Sequence, residues 1–366
     1  MPADQDAIDA HRENVRALAK PGRALAPDSP NATVNNPAWF RRRGDQYERR
    51  AVRVRLHDRL KEQYVNRHPD VRQDRRAVVL AGPPGAGKST ALNAVLGETV
   101  KDYLTIDADE FKRYLLATAL QDGSYETHIL PDAVRNLIRA GEQFFPLELA
   151  SLVHEESSML AKQLRQDAID RGDNVIIDSV LSSADAAMQL GSMLEMAGYS
   201  IDVIDVEVPY VLSQQRIAAR WQESYEKARE QARGAELGGR WVPSEYARDV
   251  FDGPDGKSRP EAIAERLANE CVAVTRFSRY RTTLDAAGTA IGPTLEADFI
   301  RETKGRPLVP VATSQESKAI AARDFAQGQF HPGRHQQKPM VTKIPLTRDS
   351  SKDPGKDRGR GPTVGQ

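Results

Sequence analysis

The chain has 366 residues, with 52 lysines and arginines against 52 aspartates and glutamates, so its net charge is zero and singles out no partner. Cys271 is its only cysteine, which rules out an internal disulfide and fits a reducing compartment. No run reaches the roughly 18 apolar residues of a membrane span. The start, Met1-Pro2-Ala3-Asp4-Gln5-Asp6, lacks the basic and apolar regions of a secretory signal, so a cytoplasmic location and no membrane partner are expected.

Residues 1–44 carry Pro2, Pro21, Pro27, Pro30 and Pro37 among Gly, Asn and Asp, and read as a flexible arm with one short helix at 6–19. Arginine is dense from 41 to 76, but acids interleave. A solvated helix is therefore expected there rather than a nucleic-acid arm, and no nucleic-acid partner. Val52, Leu56, Leu60, Tyr64 and Val65 at helical spacing make 45–66 an amphipathic helix leading into the first strand. Residues 77–81, Ala-Val-Val-Leu-Ala, form an apolar run suited to a buried parallel strand. The spacing then predicts helix over 90–96, strand 103–107, helix 109–120 and an irregular insertion at 121–145. A long helix follows over 146–170, then strand 174–178, helix 183–197, strand 201–208 and helix 210–230. After a Gly-rich turn at 234–239 come helices 243–251 and 260–270 and a fifth strand at 271–275. Strands alternating with helices predict an α/β fold: a three-layer phosphate-loop kinase-like domain over 45–305, with a parallel sheet between helices and a helical lid. Residues 306–366 are poor in apolar side chains and read as a mostly disordered tail.

The chemistry is concentrated where strands end. Residues 82–89 read Gly82-Pro83-Pro84-Gly85-Ala86-Gly87-Lys88-Ser89, a complete phosphate loop between a strand and a helix, with Thr90 following. Its glycines let backbone N–H groups close on phosphate oxygens. Lys88 is expected on the β- and γ-phosphates and Ser89 on Mg²⁺. The second strand runs into Asp107 and Asp109. Asp109 is placed to take a proton from an acceptor hydroxyl, or to cap the following helix, and Asp107 to orient it or approach the metal through water. The third strand ends in Asp178, a carboxylate at the same edge. Arg220 and Arg240 are candidates for charge on the moving phosphate, with Arg216 a lesser one. Trp221 and Trp241, each following one of these arginines, read as packing that anchors the lid. Glu148, Glu155 and Glu156 read as a solvated helix face, and His154 has no second ligand at metal spacing. Cys271 reads as an inert core residue.

The set resembles the zeta-toxin family of phosphate-loop kinases. The resemblance rests on 81–89, on Ile106-Asp107-Ala108-Asp109-Glu110-Phe111-Lys112, on 174–178, and on Arg220-Trp221 with Gly239-Arg240-Trp241-Val242-Pro243. It covers about residues 45–280 and implies a cytosolic bacterial toxin using ATP or GTP with Mg²⁺. The implied acceptor is a hydroxyl of UDP-N-acetylglucosamine. By position, Lys88 becomes the loop lysine, Asp109 the general base and Asp178 a substrate-contacting acid. Arg220 and Arg240 become the arginines on the transferred phosphate. Where founding members carry Glu-Gly-Thr this chain has Asp178-Ser179-Val180. Rival readings are a kinase of another small acceptor (nucleoside, sugar or antibiotic) and a nucleotide-dependent switch. The resemblance also implies a separate helical antitoxin. The arm, with Ile8, Val15 and Leu18 at helical spacing, is either an unstructured leader or a tethered helix that covers part of the cleft and inhibits.

Overall fold

The computed structural model describes residues 2–44, 46–231 and 237–311, and the account below concerns those residues. Helix α1 (Pro2–Leu18) buries Ile8, His11 and Val15. The chain then runs through turns that bury Leu25, Ala26, Ala32, Val34 and Trp39. Ser151 Oγ donates to the Leu25 carbonyl, and Asn31 Nδ2 donates to the His128 carbonyl at 3.2 Å. The flexible arm expected over 1–44 is therefore corrected between residues 8 and 40, where buried apolar side chains recur along the segment. Prolines and short polar residues dominate the local pattern. The sparse apolar side chains between them nonetheless meet a common surface on residues far away in sequence.

Strands β1 (Phe40–Arg43) and β2 (Gln46–Arg49) pair as an antiparallel hairpin, Phe40 opposite Arg49. Helix α2 (Ala51–Val65) thus starts later than the helix expected at 45. It buries Leu56, Leu60 and Tyr64, together with Arg53 and His57.

The central sheet has seven strands: β3 (Arg76–Ala81), β4 (Leu104–Ile106), β5 (Val175–Asp178), β6 (Ser200–Glu207), β7 (Val274–Leu284), β8 (Ala290–Ile300) and β9 (Val309–Pro310). Their spatial order is β4-β5-β3-β6-β7-β8-β9. From β4 to β7 neighbours are parallel, while β8 and β9 join antiparallel. The connecting helices are α3 (Lys88–Leu96), α4 (Ala108–Asp122), α5 (Asp132–Arg139), α6 (His154–Arg171), α7 (Ala184–Met196), α8 (Tyr210–Glu230), α9 (Ser244–Phe251) and α10 (Arg259–Glu270). This is the α/β class expected. The fifth strand begins three residues later than predicted and continues into a hairpin with β8 that the sequence reading did not contain. The helix expected at 146–170 is a 3-10 segment, Pro146–Val153, followed by α6. Of the expected tail, 312–366 lie outside the described residues, as do 232–236 of the Gly-rich turn.

Strand β3 shows why the sheet is covered on both faces. Ala77, Val79 and Ala81 pack into one apolar cluster, and Val78 and Leu80 into another that includes Ile176, Ile204 and Val206. Each fully buried Val or Leu contributes about 1.5–3 kcal/mol. The parallel register brings Leu80 level with Asp178 and Ile106 level with Ile177. The carboxyl ends of β3, β4 and β5 therefore finish together. Helix α6 is locked to α2 by a buried carboxylate: Glu156 accepts from Arg53 Nη2 at 2.9 Å and lies 2.7 Å from His57 Nε2. Glu156 is thus not part of a solvated face. Burial would push its pKa up, but His57 and Arg53 outweigh that and hold it down at about 2.

Candidate active site

The loop after β3 is shaped by close approach. A Cβ on Gly82 would lie 2.2 Å from the Val206 carbonyl oxygen of the neighbouring strand, so only glycine lets the loop leave the sheet there. Ser213 Oγ on α8 donates to the Pro84 carbonyl at 2.7 Å, and Arg216 Nη1 donates to the Gly85 carbonyl at 3.1 Å. Arg216 therefore braces the loop from outside, a role its surface spacing did not suggest. Gly87 takes a left-handed conformation ahead of α3, whose first turn carries Lys88, Ser89 and Thr90. Lys88 Nζ donates to the Gly82 carbonyl at 3.0 Å and lies 3.9 Å from Asp178 Oδ1. The loop lysine is thus held at the helix N-terminus, where the helix dipole favours an anion.

At the end of β4, Asp107 is the N-cap of α4 and accepts from the Asp109 backbone N–H at 2.8 Å. Asp109, the second residue of the helix, is therefore released from capping. Its carboxylate meets Arg240 Nη2 at 2.9 Å and Lys112 Nζ at 3.0 Å. Burial alone would raise the Asp109 pKa. The charges of Arg240 and Lys112, with Arg220 beyond them, outweigh burial and hold it below the usual carboxylate range. Asp107 behaves oppositely: burial and the charges of Asp109 and Asp178 push it up to about 7. Burial also raises Asp178, against the opposing charge of Lys88. Arg220 is exposed on α8 and acts electrostatically on both Asp109 and Asp178.

The fold thus brings Lys88, Asp107, Asp109, Asp178, Arg220 and Arg240 to one edge of the sheet. Lys112 belongs with them and was missed, although it sits one turn after Asp109 at a spacing that makes such pairs neighbours. Glu148, expected on a solvated face, is instead buried. It accepts from Trp221 Nε1 at 3.2 Å and from the Phe145 backbone N–H at 2.8 Å. Glu155 and His154 are exposed at the start of α6. Cys271 is buried and free.

Hard oxygen donors suited to Mg²⁺ are present, namely the exposed Ser89 hydroxyl and the carboxylates at the ends of β4 and β5. Among the described residues no group of three or more His, Cys, Asp or Glu is arranged to hold a metal alone. The donor set therefore fits a Mg²⁺ that takes its remaining ligands from phosphate oxygens and water. No described helix is long and apolar enough to cross a membrane.

Residues 61–127 and 115–281 match the model of the family described as Zeta toxin. Two curated relatives described as toxin zeta, from Enterococcus hirae and Streptococcus pyogenes, are each 24% identical over 149 residues. That match covers 41% of this chain and 45% of each relative, so the chain spans less than half the length of these relatives. Among solved structures, a chain of the AvrRxo1-ORF1:AvrRxo1-ORF2 complex with sulphate ions is 14% identical at a TM-score of 0.46, covering 76% of this chain and 86% of that one. A chain of the PezAT chromosomal toxin-antitoxin system of Streptococcus pneumoniae is 15% identical at a TM-score of 0.43, covering 75% and 95%.

Proposed function

The chain belongs to the zeta-toxin family, and on that premise we propose that it is a phosphotransferase. It moves the γ-phosphate of ATP or GTP to a hydroxyl of UDP-N-acetylglucosamine, as the toxin of a toxin-antitoxin pair. The observation that carries the reading is Asp109. It is freed from capping by Asp107, is held between two cations and shares a sheet edge with the phosphate-loop lysine.

Backbone N–H groups of 85–90 cradle the phosphates, and Lys88 stabilises charge on the β- and γ-phosphates. When bound at Ser89, Mg²⁺ supplies neutralisation of phosphate charge. Asp178 contacts the acceptor and sets its approach. Asp109 takes the proton of the acceptor hydroxyl as the oxygen–phosphorus bond forms and the β–γ bridging bond breaks, leaving the nucleoside diphosphate. Arg220 and Arg240 carry the charge spread over the moving phosphoryl oxygens. A helical antitoxin covering the nucleotide site would be the partner that holds such a toxin in check.

Asp109→Asn tests this directly. Asn has nearly the same shape but cannot take the proton. Transfer should fall by about a hundredfold or more, with ATP affinity by calorimetry kept within a few-fold. Turnover near that of the unaltered chain would remove Asp109 as the base.

A further inference from the structure

The two arginines reach the site on separate pieces of chain, and both pieces rest on one buried side chain. Trp221, 1% exposed, follows Arg220 on α8. Trp241, following Arg240, meets the Trp221 ring edge-on with centroids 5.7 Å apart. Gly239, before Arg240, lies so close that a Cβ there would be 2.4 Å from the Trp221 carbonyl oxygen. Trp221 is fixed in turn by Glu148 Oε1, which accepts from its indole N–H. The same oxygen lies 3.0 Å from His11 Nε2 of α1. His11 Nδ1 is 3.1 Å from Glu142, and the imidazole stacks on Tyr225 at 4.7 Å. Asn14 of the same helix donates to Glu142 at 2.7 Å.

We propose that His11 and Glu148 are positioning residues for phosphoryl transfer: by clamping Trp221 they hold Arg220 and Arg240 toward Asp109 and the phosphate loop. The inference rests on the transfer reading above. It gives the N-terminal helix a supporting role in place of an inhibitory one. Glu148 is a carboxylate 1% exposed. Removing His11 leaves one of its oxygens with only the indole N–H, and a buried charge short of partners reorganises its surroundings. The arginines are reached only through that reorganisation, since neither His11 nor Glu148 touches them.

The test uses the full chain and reads the ratio of ADP to ATP dissociation constants by calorimetry, a quantity independent of the acceptor. Arginines placed on the γ-phosphate favour ATP, whereas Lys88 and the loop bind both nucleotides. His11→Ala should lower the preference for ATP about tenfold and leave ADP affinity within twofold, and His11→Gln, whose amide can still donate to Glu148, should restore most of it. Trp221→Phe keeps the ring packing, loses the bond to Glu148 and should show the same selective loss. It carries the test if His11→Ala does not fold. An unchanged ratio in Trp221→Phe and in folded His11→Ala, alongside a lowered ratio in Arg240→Ala, overturns the positioning role and leaves the transfer reading standing. An unchanged ratio in Arg240→Ala removes Arg240 from the transferred phosphate, and the positioning role falls with it.

Discussion

The two sides of the site are built differently. The phosphate side is contiguous: β3, the loop and the first turn of α3 follow one another within residues 76–96, and Lys88 bonds back to Gly82 only six positions away. The arginine side is assembled from α8, the segment before α9 and, through His11 and Glu148, the first helix of the chain. A contiguous element is fixed by local geometry. An assembled one depends on buried polar contacts over long separations, so it should be the softer half, open to damage from positions that never meet a phosphate.

Substitutions on the two sides should separate accordingly. Lys88→Ala removes the cation on the β- and γ-phosphates. Transfer should fall by about a thousandfold, and any growth inhibition on expression should vanish. A folded Lys88→Ala protein that transfers or inhibits growth normally would show that the contiguous side is not the phosphate site. Gly239→Ala breaks the other side without touching a charge. The added methyl meets the Trp221 carbonyl oxygen, so the chain carrying Arg240 must shift. About a tenfold loss of turnover is expected, in line with the sensitivity of such reactions to small misplacements, with ADP affinity retained. Unchanged turnover would mean that the assembled side tolerates displacement and is not soft.

A smaller effect is expected at the last residue of β6. Burial and the charge of Asp205 push Glu207 up to about 9, and Ser258 Oγ donates to Glu207 at 2.9 Å. The folded chain therefore holds a proton that the unfolded chain releases above its ordinary carboxyl range. Stability contributed by this proton is full at low pH and is lost as pH rises from the unfolded toward the folded value, by about 1.4 kcal/mol per pH unit at most. Glu207→Gln mimics the protonated acid, so its urea midpoint should fall less than that of the unaltered chain between pH 5 and 8.5. Parallel midpoints would show that Glu207 does not hold this proton in the folded chain.

The contiguous side was legible in the sequence because its constraints are local. The glycines of 82–87, the apolar run before them and the strands ending in Asp107 and Asp178 each announce themselves within a few residues, and the parallel sheet follows from their alternation with helices. The assembled side was legible only as isolated arginines. Glu148 and Glu156 read as solvated because carboxylates on helical spacing usually are. Their partners His11 and Arg53 lie 137 and 103 positions away, beyond the reach of any periodicity. Strand β8 was missed for a similar reason. Its neighbour β7 carries Arg276, Arg279 and Arg281, which look incompatible with a sheet interior until Asp298, Asp205 and Glu261 are seen to neutralise them. The packing of residues 8–40 was hidden by proline and short polar residues between their few apolar anchors.

The central claim is transfer of a nucleotide's γ-phosphate to a small hydroxyl acceptor. The most direct measurement incubates the purified chain with ATP, Mg²⁺ and UDP-N-acetylglucosamine and follows the sugar nucleotide by mass spectrometry, with Asp109→Asn in parallel. The expected result is a product heavier by one phosphoryl group, formed with equimolar ADP and absent with the variant. ATP consumed to free phosphate, with no phosphorylated acceptor here or in a metabolite extract, would contradict it.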